Sequence, residues 1–124
     1  MIVLAIDTAL DGCAVAIVRD ETTLASISEP MQRGQAERLA PMAREAVEAA
    51  GVRLAEIDRI AVTTGPGSFT GVRVGLSFAR ALALALGIPC VGVSTLEALA
   101  LAQERKGLRA ALPWQADSLP DERT

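Results

Sequence analysis

The chain has no histidine and no tyrosine in its 124 residues, and its only aromatic side chains are Phe69, Phe78 and Trp114. Without histidine it cannot assemble a Ser-His-Asp or Cys-His pair, nor a histidine-containing zinc or iron site. Its two cysteines, Cys13 and Cys90, are too few for a four-thiolate metal centre. Both fall in apolar, strand-like runs, where a thiol behaves as a small hydrophobe rather than as a disulfide partner or nucleophile. The shortage of aromatics argues against a base-stacking platform. Charge argues the same way: 12 Lys and Arg against 15 Asp and Glu leave a net −3 with no basic run, so any nucleic-acid role calls for a partner.

Long uninterrupted apolar stretches are missing too. The first apolar region is broken by Asp7 and Asp11 and lacks a basic flank, so no signal peptide is expected. The region 71–93 carries Arg73 and Arg80 and ends in Gly87 and Pro89, which is too interrupted for a membrane span. The cytoplasm is the expected compartment. What is present, 51% hydrophobic and 22% charged residues, is the composition of one folded domain with an ordinary core.

Residues 2–6 and 13–18 are continuous apolar runs on either side of Asp11-Gly12, and read as a hairpin of buried strands. A more polar third strand at 22–28 has one solvated face by its alternation. From 37 to 50, Leu39, Met42, Ala43, Ala46, Val47 and Ala50 recur at helical spacing, and Gly51 supplies the stop. Pro41 is compatible with this helix if it sits in the first turn. A strand at 57–64, a helix at 70–86, a strand at 90–93 and a short helix capped by Ser94-Thr95 and running to about Gln103 complete the order βββαβαβα. That order predicts an α/β fold, a mixed sheet covered by helices, with the later strands parallel. Residues 105–124 give no element signal and read as a tail or the start of a further part.

Two places can carry chemistry. Asp7-Thr8, ending the first strand, resembles the phosphate-facing hairpin of actin-like ATPases and sugar kinases, where a carboxylate near the metal holds phosphates through coordinated water. A strand-ending Asp also serves simply to cap a turn. Gly65-Pro66-Gly67-Ser68-Phe69-Thr70-Gly71 joins a strand to a helix, and its glycines and helix-capping hydroxyls leave amides that can face an anion. It matches neither the Walker nor the dinucleotide pattern, and a tight strand-to-helix turn accounts for it equally well. Asp7, Thr8, Gly65, Gly67 and Ser68 are therefore the candidate phosphate contacts, and no metal ligands are assigned.

The 70–86 helix is apolar almost all round, and Gly71, Gly75, Ala79 and Ala83 make a smooth stripe at every fourth position. In so small a domain this favours a face half-buried against a partner over packing within the chain alone.

Ile-Asp-Thr-Ala at 6–9, Glu37-Arg38-Leu39 with Pro41-Met42, the eleven residues from Gly65 to Gly75, and Gly92-Val93-Ser94-Thr95-Leu96 together resemble the TsaB (YeaZ) family, glycoprotease-like proteins of the actin-like ATPase (ribonuclease H-like) superfamily. The likeness covers about residues 1–104, so 1–104 is expected to be the first, actin-like domain. The resemblance implies a noncatalytic partner subunit in threonylcarbamoylation of tRNA adenosine 37, pairing through first-domain helices with a TsaD-type subunit that carries the metal and the transfer chemistry. A TsaE-type ATPase joins that assembly, with tRNA bound only through the complex and ATP and magnesium belonging to the assembly. By itself the chain is expected to pair with a second copy and to bind no cofactor. Carried onto matching positions, the pairing surface comprises Leu39, Met42 and Ala43 with Gly71, Val72, Gly75, Leu76, Ala79 and Ala83. Family members often have a histidine just before the Glu-Arg-Leu segment, where this chain has Gln35, and usually run to two domains. The alternative is a phosphate-binding ATPase or kinase-like enzyme of the same superfamily.

Overall fold

Alternation of large apolar residues with small ones builds the sheet. A computed structural model describes residues 1–9, 12–67 and 69–94, with Phe69 in backbone only. It contains β1 (Ile2–Asp7), β2 (Gly12–Arg19), β3 (Thr22–Pro30), α1 (Gln35–Ala50), a short 3-10 turn at Leu54–Glu56, β4 (Arg59–Thr63), α2 (Phe69–Leu86) and β5 (Cys90–Val93). The helix expected from Thr95 on and the boundary expected after residue 104 lie outside the described residues.

The five strands lie in the order β3-β2-β1-β4-β5. β1 pairs antiparallel with β2, and β2 with β3, as the hairpin reading requires. β4 runs parallel to β1, pairing Leu4 with Ile60 and Ile6 with Val62, and β5 runs parallel to β4. Because strand side chains alternate between faces, Leu4 and Ile6 of β1, Val15 and Ile17 of β2, and Ile60 and Val62 of β4 share one face. α1 covers the β2–β3 side of that face and α2 the β4–β1 side, and the helices touch each other. Leu39 and Met42 of α1 are fully buried against it. The opposite face carries smaller residues, among them Ala5, Ala16, Val18 and Val93. No helix among the described residues is long and apolar enough to cross a membrane.

Both ends of α1 are set by glycines in the left-handed region, Gly34 (φ 88°) and Gly51 (φ 71°), and Gly51 donates its N–H to the carbonyls of Glu48 and Val47. The helix therefore begins at Gln35, two residues earlier than its apolar pattern suggests. Pro41 consequently sits in the second turn and not the first, and the Glu37 carbonyl receives no hydrogen bond from it. Arg38 fastens α1 to the edge strand: its Nε donates to both carboxylate oxygens of Glu29 at 2.9 Å, and its Nη2 donates to Glu45 at 2.9 Å. The guanidinium hydrogen bonds hold the Glu29 carboxyl below its usual range.

The small-residue stripe of α2 is where the structure departs most from the sequence reading. Ala79 is fully buried, Ala83 is 4% exposed, and Gly71 and Gly75 are buried as well. The chain's own strands cover the stripe: α2 lies on β4 and β1, and the absent side chains allow the backbones to approach closely. On α1, Leu39, Met42 and Ala43 face the same core. Of the residues expected at a partner surface, only Val72 and Leu76 keep part of their surface open.

Candidate functional site

Two parallel strands ending side by side place their last residues together, and here those are Asp7 of β1 and Thr63 of β4. Asp7 is completely buried and Thr63 is 4% exposed. The Thr63 hydroxyl donates to Asp7 Oδ1 at 2.7 Å, and the Ala9 N–H donates to the same oxygen at 3.1 Å. The second of these is the Asx-type turn that a strand-ending Asp makes, closing the chain back on itself after β1.

Thr8 points to the helix side, since it follows Asp7 by one residue. It is fully buried, and its hydroxyl donates to the carbonyl of Gly71 in the first turn of α2 at 2.5 Å. Gly75, one turn on, leaves the space that hydroxyl fills: a β-carbon there would collide with Thr8 Oγ1. Across the same corner the turn 64–67 comes down on the end of β1. A β-carbon on Gly67 would collide with the Ala9 carbonyl, and one on Gly92 of β5 would lie 2.7 Å from Thr64 Cγ2. Gly65 adopts φ +108°, open to glycine and strained for other residues.

Asp7, Thr8, Gly65 and Gly67 are thus brought together as the sequence suggests, at the carboxyl ends of β1 and β4 and the start of α2. Ser68 lies outside the described residues. Their local roles are internal ones. The glycines admit neighbouring backbone and a threonine hydroxyl, and Asp7 Oδ1 receives donors from the chain itself. Among the described residues no group of three or more His, Cys, Asp or Glu side chains is placed to hold a metal ion.

Thr63 is the residue that sequence reasoning overlooked at this corner. Its signal was present: the two strands are parallel and end together, so the last residue of one faces the last residue of the other. Also overlooked was the outer face of α2, where Thr70, Arg73, Ser77, Arg80 and Leu84 are all exposed. Their spacing of three and four residues was readable in advance.

The cysteines behave as expected of apolar-run thiols. Both are free. β1 and β4 lie between the strands that carry them, a separation of roughly 14 Å at the usual strand spacing, beyond disulfide reach. Cys13 is fully buried, its thiol 3.8 Å from the sulfur of Met42. Burial, the Glu29 carboxylate and Asp7 push its pKa up to about 11, with Arg38 acting in the other direction. A thiol so placed is a poor nucleophile at neutral pH.

Comparison with known proteins agrees with this architecture. The family model described as TsaD, tRNA N6-adenosine threonylcarbamoyltransferase, matches residues 24–113. The Escherichia coli K12 tRNA threonylcarbamoyladenosine biosynthesis protein TsaB is 42% identical over 106 residues, covering 86% of this chain and 46% of that protein. The structure of YeaZ from Pseudomonas aeruginosa superposes with a TM-score of 0.75 at 41% identity, covering 80% of this chain and 46% of the other. A ROK hexokinase from Thermus thermophilus superposes with a TM-score of 0.60 at 29% identity, covering 86% and 38%. The chain spans about half the length of the curated TsaB relatives it matches. On the family match, the identity to TsaB and YeaZ and the shared sheet, the chain has the actin-like ATPase (ribonuclease H-like) fold and belongs to the TsaB (YeaZ) family.

Proposed function

We propose that this chain is a noncatalytic partner subunit in threonylcarbamoylation of tRNA adenosine 37, acting by pairing with a TsaD-type subunit through the exposed faces of α1 and α2. The observation that carries the reading is the use made of the strand-end corner. Asp7 Oδ1 accepts from Thr63 and Ala9, and Thr8 is committed to α2. Residues that elsewhere in this fold class can meet a nucleotide here help to hold β1, β4 and α2 together. Relatives at about this similarity carry names in tRNA threonylcarbamoyladenosine biosynthesis, which supplies the process. In this reading the compartment is the cytoplasm, a TsaE-type ATPase joins the assembly, tRNA is met only through the complex, and the chain alone pairs with a second copy.

The experiment is to mix the purified chain with the TsaD-type subunit of the same source and measure mass by light scattering, then to express the chain in cells lacking TsaB and assay the modified adenosine. A stoichiometric complex and restored modification are expected. A chain that neither binds the subunit nor restores modification sinks the reading.

A second reading, a phosphate-binding kinase-like enzyme, is favoured by the likeness to the ROK hexokinase. Calorimetry with ATP and magnesium separates the two, since tight binding by the chain alone belongs only to the second.

A further inference from the structure

β3 is the outermost strand on its side of the sheet, and among the described residues no element pairs with its outer edge. Such an edge is a template for another strand, and chains blunt it by keeping it short or by placing charge or proline along it. β5, at the other side, is short, with four residues. β3 runs for nine residues, none of them buried, and residues 22–28 contain no charge, no proline and no glycine.

The ends of this edge are closed and its middle is not. Ile17 of β2 pairs with Ala25 and Val18 pairs with Thr23, which leaves Leu24 as the extra residue of a bulge. The bulge twists the strand locally and turns the 22–24 end aside. Pro30 ends pairing at the far side. Between them, residues 25–29 are a regular stretch with an open edge.

A strand meets a copy of itself across a twofold axis in the antiparallel sense, and centred on Ile27 this stretch is complementary to itself. Ile27 would face its counterpart on the helix-bearing side, where it already packs against the core. Ser26 would face Ser28 of the second copy on the opposite side, where both are exposed, and hydroxyl pairs are favoured across antiparallel strands. Charge agrees with this register. Arg38 reaches down from α1 to Glu29, and Glu45, with which it is also paired, lies two turns further along the helix as it runs back over β3. Seven helical residues rise about 10 Å, the length of some three strand residues. Arg38 of each copy thus comes opposite Glu45 of the other, and the two flanks attract. The pairing uses up both long edges and leaves only the short β5 edges, so it closes at two copies.

Resting on the reading that the chain alone pairs with a second copy, we propose that the copies meet along residues 25–29 of β3, antiparallel and centred on Ile27, and so join the two sheets into one.

The test follows the mass of the full chain by light scattering over a range of concentrations, with hydrogen exchange of the β3 amides measured alongside. The parent should rise from one copy to two, and amides within 25–29 should gain protection as it does so. In Ser26→Lys/Ser28→Lys every lysine faces a lysine of the second copy, and the dissociation constant should rise roughly tenfold or more. In Ser26→Lys/Ser28→Glu each lysine faces a glutamate, and pairing should be retained, more firmly at low salt than at high. All four substituted side chains lie on exposed positions, so thermal melts of the dilute variants should match that of the parent. A parent dimer that both variants leave unchanged sits on another surface, which overturns the edge and leaves the second-copy reading standing. A parent that stays a monomer overturns both. Masses that grow beyond two copies overturn the closed pairing. If the lysine variant loses a TsaD-type subunit while its own mass is unchanged, the edge belongs to that subunit and the proposal is wrong.

Discussion

The hydroxyl of Thr8 occupies the space where a side chain at Gly75 would begin, while donating to the carbonyl of Gly71 one turn earlier. The first strand is thereby pinned to the second helix at a point where neither can move without exposing a buried polar group. Gly75→Ala, which in an exposed helix gains about 1 kcal/mol from propensity, should here lower stability by about 1–3 kcal/mol through overpacking. Denaturant unfolding of Gly75→Ala, Thr8→Ala and the double variant checks this, and the double variant should lose less than the sum of the two single losses. Gly75→Leu should fail to fold, rather than fold and lose only its association.

Beside that pin, Thr63 supports the buried Asp7 carboxylate. Thr63→Val keeps the shape and removes one of the donors to Oδ1, leaving a buried charge less well satisfied. A loss of about 1–3 kcal/mol is expected. Thr63→Ser, which keeps the hydroxyl, should lose less. A larger loss for Thr63→Ser than for Thr63→Val in urea titrations would mean that the methyl group matters and the hydrogen bond does not.

How much of this was legible beforehand depended on whether a pattern had one physical solution or two. Runs at 2–6 and 13–18 separated by a turn can bury themselves only as neighbouring strands, and they pair with Ile6 opposite Val15. The α1 stripe likewise has one solution, a face laid on the sheet. A glycine-alanine stripe has two, because small residues say that something approaches closely and not whether it is a partner or the chain's own β1. The apolar character of α2 on its remaining faces tilted that choice toward a partner, whereas Thr8 and β4 fill the inner side. Thr63 was hidden for a different reason. Its role depends on the parallel register of β1 with β4, two elements more than 50 residues apart in sequence. The start of α1 was hidden because Gly34 begins it by conformation, without a hydroxyl or carboxylate cap to mark the place.

That early start leaves Pro41 in the helix interior, where proline is about 3 kcal/mol less favourable than alanine. Its exposed position lets water reach the Glu37 carbonyl, which the ring deprives of its usual helical donor, and the stiffness of proline in the unfolded chain offsets part of the cost. Pro41→Ala should therefore raise stability by about 1–3 kcal/mol, seen as a higher midpoint in thermal melts with unchanged helical circular dichroism. A lower midpoint would mean that the ring itself packs against a neighbour.

The alkaline limb of the stability curve should report Cys13. Its thiol ionises near 9 when exposed and is pushed up to about 11 in the folded chain, chiefly by burial. Between those values the folded state holds a proton that the unfolded state has lost. The contribution is thus fully present below pH 9 and disappears as pH rises through 11. A two-unit displacement corresponds to a loss of about 2–3 kcal/mol across that window. Few other groups titrate there, since the chain has no tyrosine and only one lysine, Lys106. Cys90 contributes a shift of the same sign, also from burial, so the comparison must be between the parent and Cys13→Ala, with Cys90 kept in both. Urea midpoints should fall more steeply with pH in the parent than in Cys13→Ala. Parallel curves would place the Cys13 thiol in contact with water in the folded chain, against its burial between β2 and Met42.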